Sequence, residues 1–311
     1  MAHMIDTMFS TRVMPWHGLG VIVQESPTSE DALKQAGLDW MVIPKDVYVE
    51  GNRIKGYVAN ARSDNNKVLG IVSDRYKVVQ NIEAFTFTDE LLKTDERIKY
   101  ETAGSLAEGK RVWLLAKMPE RLLVGDETIP YVVFSNSHDG KGSIRVAMTP
   151  IRVVCQNTLN LAMNNTIRQW STKHIGNIQE KMEEAKRTLQ LANTYMDNLA
   201  EHAEYLSKQK ISDDEVKEFL EMLFPITKED IKSDRKVANI KDIREELKHR
   251  YYQAPDLEKF IGTKWGLINA VSDLATHAEP KRKTSTFREK LFEKTVDGNP
   301  IIDKAYALLV A

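Results

Sequence analysis

Nine apolar residues follow one another at intervals that alternate four and three: Ile178, Met182, Ala185, Leu189, Ala192, Met196, Leu199, Ala203 and Leu206. A strand cannot use that spacing, because its side chains change face at every residue. A helix brings all nine to one stripe. The pattern commits this stretch to a heptad seam which, at 1.5 Å rise per residue, reaches roughly 45 Å. Its Ala and Met content allows close approach but fixes partner and register weakly. Two arrangements fit: packing against the helices after Ser212, or packing of residues 178–206 against a second copy in a homo-oligomer.

Helix signals continue beyond the seam. Ser212-Asp213-Asp214-Glu215 is a capping box opening a helix that Pro225 ends. A third helix runs from about Lys236 to Tyr252, presenting Ile240, Ile243 and Leu247. Pro255-Asp256 introduces a fourth, with Trp265, Ile268, Val271 and Ala275 inward, which Pro280 stops. Before residue 176 the chain reads differently. Ser29–Gly37 is a short helix. Trp40–Val49 and Arg53–Ala61 are β-rich runs flanking the turn Glu50-Gly51-Asn52. Val68–Val79 continues the sheet, interrupted at Ser73-Asp74, and Asn81 caps a helix through Leu92. Strands follow at Arg111–Lys117, Ile129–Ser135 and Ser143–Met148, then a helix at Cys155–Asn164. The expected fold is α+β: a mixed, mostly antiparallel sheet domain over 1–175 and an all-helical domain over 176–311.

The charges nearly cancel, 44 Lys+Arg against 45 Asp+Glu, yet no acidic residue occurs from Lys141 to Gln179. That run carries Lys141, Arg145, Arg152, Arg168 and Lys173. Such a run is where an anion can rest, and neutralised phosphates release counterions that drive binding. Strand alternation gives Ile144, Val146 and Met148 one face and places Arg145 on the other, away from the core. Arg152 follows, and Asn157, Asn160, Asn164 and Asn165 cluster on the next helix, where amides suit phosphates and base edges. Trp170 and Trp16 offer stacking surface. The same residues also fit a solvated sheet face, asparagines capping local backbone, and a tryptophan pinning the N-terminus to the core. A second basic cluster, Lys281, Arg282 and Lys283 with Arg288 and Lys290, fits nucleic acid or an exposed loop. Any nucleic-acid contact is local, since the pI is near 6.7.

Catalytic chemistry finds little footing. The loop Ser135–Gly142 lacks Walker spacing and reads as a phosphate cradle or a hairpin turn. The seven histidines form no HxxxH or HExxH pair, and the single Cys155 excludes a cysteine zinc cluster. Cys155 with His138 as base competes with Cys155 as a small buried hydrophobe. No active site, metal or cofactor is expected. One cysteine fits a reducing cytoplasm, no 18-residue apolar stretch suggests a membrane span, and the N-terminus carries no signal pattern.

Five strings carry a family resemblance: Pro15-Trp16-His17-Gly18-Leu19-Gly20, Ser73–Asn81 (SDRYKVVQN), Phe134–Gly140 (FSNSHDG), Arg152–Asn160 (RVVCQNTLN) and Trp265–Val271 (WGLINAV). In order and spacing the chain resembles the phage/plasmid-like proteins of the domain of unknown function 932 family, from Met1 to about Leu309. The resemblance implies a mobile-element origin in a bacterial host. It supplies no catalytic residues. Three strands then a helix, Arg111 to Asn164, also look like the β-β-β-α core of single-strand annealing proteins. The expected function is single-stranded DNA binding and annealing without nucleotide hydrolysis. The alternative is a non-enzymatic interaction protein of the mobile element that blocks a host factor such as a defence system.

Overall fold

The computed structural model describes residues 21–22, 29–92, 97–152, 161, 163, 169–190, 192–278, 284 and 287–311. The chain forms two compact units that interleave in sequence. One holds Met1–Pro119, Pro130–Met148 and Ile167–Ala192; the other holds Glu120–Ile129, Thr149–Thr166 and Asn193–Ala311.

The first unit opens with β1 (Val21–Ile22) and α1 (Ser29–Gln35). A three-stranded sheet follows: β2 (Val42–Val49), β3 (Asn52–Arg62) and β4 (Val68–Ser73), all antiparallel in the order β2-β3-β4. Glu50 and Gly51 both adopt positive φ, 50° and 80°, the geometry of a two-residue hairpin turn. The sheet ends at Ser73 and does not resume towards Val79. Instead, residues 74–80 form a loop held by side chains described below. Helix α2 is Asn81–Leu92.

The larger sheet comprises β5 (Lys99–Leu106), β6 (Arg111–Lys117), β7 (Arg121–Leu123), β8 (Asp126–Ser137), β9 (Ile144–Arg152) and β10 (Gln169–Thr172). Its order is β1-β5-β6-β8-β9-β10, with β7 pairing β8 alone. Val112–Ala116 of β6 and Tyr131–His138 in and after β8 are buried without a break. Such two-sided burial belongs to central strands covered on both faces. It explains why these runs read as continuous apolar or small-polar stretches rather than as alternation. Helix α3 (Ile178–Gln190) completes the described part of this unit.

The second unit is mainly helical: α4 (Ala192–Lys208), α5 (Asp213–Leu223), α6 (Asp234–Gln253), α7 (Lys264–His277), α8 (Phe287–Asp297) and α9 (Pro300–Val310). The expected fourth helix is two pieces, a tight 3-10 turn at Pro255–Phe260 and then α7, whose N-cap is Thr263. Ile243 is exposed rather than inward, whereas Leu247 is fully buried.

The heptad seam falls on α3 and α4, with Leu191 outside the described residues. In α4 its Met196, Leu199, Ala203 and Leu206 are all 0% exposed within a single chain. This half of the seam is already covered and leaves nothing for a second copy. The helix expected at Cys155–Asn164 lies largely outside the described residues.

The capping box at α5 is complete: Ser212 Oγ accepts from Glu215 N at 3.3 Å, and Ser212 N donates to Glu215 Oε2 at 2.8 Å. Replacing Ser212 with Ala is expected to lower stability by about 1 kcal/mol, read from the denaturant midpoint of the full chain.

Candidate functional site

Behind the turn that joins β8 to β9 lies a buried polar cluster. Asn60, Asn81, Asn136 and His138 are each at most 1% exposed. Asn81 Nδ2 donates to the carbonyls of Leu38 (2.9 Å) and Trp40 (3.3 Å). Its Oδ1 therefore faces His138 Nε2 at 3.0 Å, which makes Nε2 the protonated nitrogen of a neutral ring. Asn60 Nδ2 donates to the carbonyl of His138 at 2.8 Å, and Asn136 Nδ2 to that of Val79 at 2.8 Å. Burial, with the nearby His174 second, drives the His138 pKa down to about 3. This histidine is a neutral structural link rather than a base for Cys155, which lies outside the described residues.

The loop 74–80 is clamped to the same cluster. Lys77 N donates to the His174 carbonyl at 2.8 Å, and His174 Nδ1 meets the Lys77 carbonyl at 2.9 Å. Tyr76 stacks on His174 with ring centroids 4.5 Å apart, and its hydroxyl donates to the Ser137 carbonyl. Burial lowers the His174 pKa. Gly70 is required here: a Cβ on it would sit 2.6 Å from Asp139 Cα, closer than any relaxed packing permits.

The turn itself is self-satisfied. Asp139 Oδ1 accepts from Ser137 Oγ (2.7 Å) and Lys141 N (2.9 Å), while Gly142 N donates to Ser137 Oγ at 3.2 Å. With those amides engaged inside the turn, Ser135–Gly142 is a hairpin connection and not a phosphate cradle.

The cations gather on the outside of this framework. Arg145 pairs with Ser171 across the β9–β10 ladder, and Lys173 follows Thr172, the partner of Ile144. Gln169, Ser171 and Lys173 are exposed, and Arg145 is half-buried with Nε donating to Ser143 Oγ at 3.1 Å. Diagonal neighbours on such a ladder stand roughly 7–8 Å apart. Lys141 is exposed four residues before Arg145. Two further cations arrive from elsewhere. Lys77 is exposed beside His174, and Lys181 of α3 donates its ammonium to the carbonyls of Ile175 (2.6 Å) and Lys173 (3.4 Å). Among the described residues none of Lys77, Lys141 and Lys173 forms an ion pair.

The structure thus brings Lys141, Arg145 and Lys173 to one end of β9–β10. Arg152 is the last residue of β9 and belongs to the second unit. Trp170 pairs with Val146 on the opposite face from Arg145 and is 9% exposed, so it offers no stacking surface. Arg168, Asn157, Asn160, Lys281, Arg282, Lys283 and Trp16 lie outside the described residues. Tyr76, Lys77, His174 and Lys181 were not anticipated as neighbours of the basic run. Tyr76 and Lys77 stand in one of the strings that carried the family resemblance, which was the available signal.

A separate groove of about 900 Å³ separates α5 from α6. It is lined by Lys217, Lys241, Arg244, Lys248 and His249 beside Asp213, Glu221 and Glu245. Among the described residues no group of three or more His, Cys, Asp or Glu can hold a metal ion, and no helix is long and apolar enough to cross a membrane.

No curated protein and no solved structure matches the chain. One protein-family model does, over residues 68–295, a span that takes in the clamped loop, the turn and the cationic end of β9–β10. With most of its length matched, the chain belongs to the family described as Domain of unknown function (DUF932).

Proposed function

We propose that this chain is a phage- or plasmid-encoded protein that binds single-stranded DNA at the cationic end of β9–β10 and promotes annealing of complementary strands without nucleotide hydrolysis. One observation carries the reading: Lys77, Lys141 with Arg145, and Lys173, from three stretches of sequence, gather around one hairpin, and the three lysines have no carboxylate partner among the described residues. Phosphate contacts of this kind fix affinity and register but carry no sequence information, which suits a protein that handles any strand. The Asp139 carboxylate is turned to Ser137 and Lys141 N, so it organises the turn.

The test is a salt titration with labelled single strands. Wild type is expected to lose affinity steeply with salt. The double variant Lys141→Gln/Lys173→Gln is expected to bind all sequences more weakly and to show a log–log slope shallower by about 1.4, two phosphates at roughly 0.7 each. Strand pairing, followed by fluorescence quenching of complementary labelled oligonucleotides, is expected to fall in parallel. Equal binding by wild type and variant, or binding by neither, removes the DNA reading. The non-enzymatic interaction protein then takes its place.

A further inference from the structure

Among the described residues, the outer face of the three-stranded sheet carries half-exposed apolar side chains around Lys45. Register places Ile43 beside Ala61, Lys45 beside Ala59, Ala59 beside Ile71 and Ala61 beside Val68. Strand alternation adds Met41 and Tyr57 to the same side. The central strand contributes Ala59, half-buried, and Ala61, already fully buried within the chain. Met41 and Ile43 form a ridge on one flank, Val68 and Ile71 a ridge on the other, and Tyr57 closes one end. Those five side chains are each 43–60% exposed. Five half-open side chains of this size leave on the order of 500 Å² of surface, so two copies meeting here bury about the 1,000 Å² that a specific interface must clear. A patch of that size is at the upper end of what a monomer exposes and is often functional.

The surrounding charges narrow the occupant. Arg53 pairs with Asp46 at 2.7 Å, Lys67 with Glu108 at 2.5 Å, and Lys45 Nζ donates to Asn66 Oδ1 at 2.6 Å. An anionic partner such as nucleic acid meets no uncompensated row of cations here. At the tip of the β2–β3 hairpin, the two exposed charges without an ion pair among the described residues are Glu50 and Lys55, one of each sign. A patch that is apolar, neutral at its rim and self-complementary at its tip is suited to meeting itself across a two-fold axis.

We propose that the outer faces of two such sheets pack together, making the protein a dimer through β2, β3 and β4. Each copy's exposed Ile43 and Ile71 ridges pack against those of the other. The layers stack as an aligned sandwich about 10 Å thick, and Glu50 of each copy approaches Lys55 of its partner. The dimer is independent of DNA binding, because its surface shares no residue with the cationic end of β9–β10.

Sedimentation velocity of the full chain without nucleic acid, at concentrations from about 1 to 100 µM, on the order of ordinary dimer affinities, tests this. Wild type is expected to sediment as a dimer at the upper end. Ile71→Glu is expected to weaken association at least about 100-fold while leaving the thermal melt of the monomer unchanged, since Ile71 is exposed. A second pair of variants guards against misfolding. Glu50→Lys alone is expected to weaken the dimer several-fold, and Glu50→Lys/Lys55→Glu to restore it. A wild type that stays monomeric, as it would if this face served a different protein or another segment of the chain, overturns the proposal. So does a dimer indifferent to Ile71→Glu, or a charge swap that restores nothing.

Discussion

Lowering the pH from 7 to 5 is expected to cost this protein about 2 kcal/mol of stability through His138 alone. The sign follows from which state holds the proton. Unfolded, the ring titrates near 6.5; folded, burial has driven its pKa to about 3. Below 6.5 the unfolded chain binds a proton that the folded chain refuses, so stability is full above that pH. It falls by about 1.4 kcal/mol per pH unit until the folded pKa is reached. The geometry gives the reason. Nε2–H already donates to Asn81, and Nδ1 has no hydrogen-bond partner among the described residues. A second proton would be a buried charge with nothing to receive it. His174, also lowered by burial, adds to the effect in the same direction. Carboxylates contribute chiefly below about pH 5, so urea midpoints at pH values of about 7, 6 and 5 isolate the histidines. His138→Gln is expected to flatten most of that slope. An unchanged slope would show that His138 is not the source.

Asn81→Ala is the second large effect, an expected loss of about 3–4 kcal/mol at neutral pH. The carboxamide serves three partners at once: the carbonyls of Leu38 and Trp40 and the His138 ring. Truncation leaves two buried acceptors and one buried donor unpaired, and each such orphan costs about 1–3 kcal/mol. Asn81→Asp separates hydrogen bonding from charge. It also forfeits both donor bonds, so it is expected to be destabilising at neutral pH. A carboxylate beside His138, however, favours the imidazolium, so the stability of Asn81→Asp is expected to fall less steeply on acidification than that of wild type. Parallel pH dependences for the two proteins would argue that residue 81 does not set the protonation of His138.

Local chemistry was legible from the sequence wherever one segment decided it alone. The capping box at Ser212 and the turn at Glu50-Gly51 are properties of a few adjacent residues, and they stand in the structure; the alternation of β9 holds from Ile144 to Val146 and ends there, because Ala147 and Thr149 are buried as well as Met148. The heptad spacing told correctly that the seam is helical. It could not tell what covers it, because periodicity records a stripe and not the partner of the stripe. Strand β5, Lys99–Leu106, was not anticipated: its polar residues Thr102 and Ser105 are buried by neighbours distant in sequence rather than by their own hydrophobicity.

The candidate site shows the same limit. The acid-free run located Lys141, Arg145 and Lys173, and alternation gave Arg145 its face. Lys77 and Lys181 were invisible, since only the clamp between Lys77 and His174 and the reach of Lys181 to the Lys173 carbonyl bring them alongside. Trp170 was misread as a platform because an aromatic on a short edge strand carries no sequence mark of which side it takes.

One detail of the smaller sheet bears on how copies of this protein can associate. Gln80 Oε1 accepts from Val42 N at 2.8 Å, and Gln80 Nε2 donates to the Val42 carbonyl at 2.9 Å. By ladder alternation the next outward position on β2 is Pro44, which has no N–H to offer. This stretch of the β2 margin is thus shut against the strand-by-strand growth that turns exposed sheets into fibrils. The proposed contact through the outer face closes after two molecules, a pairing that unlike edge-to-edge growth has a fixed end.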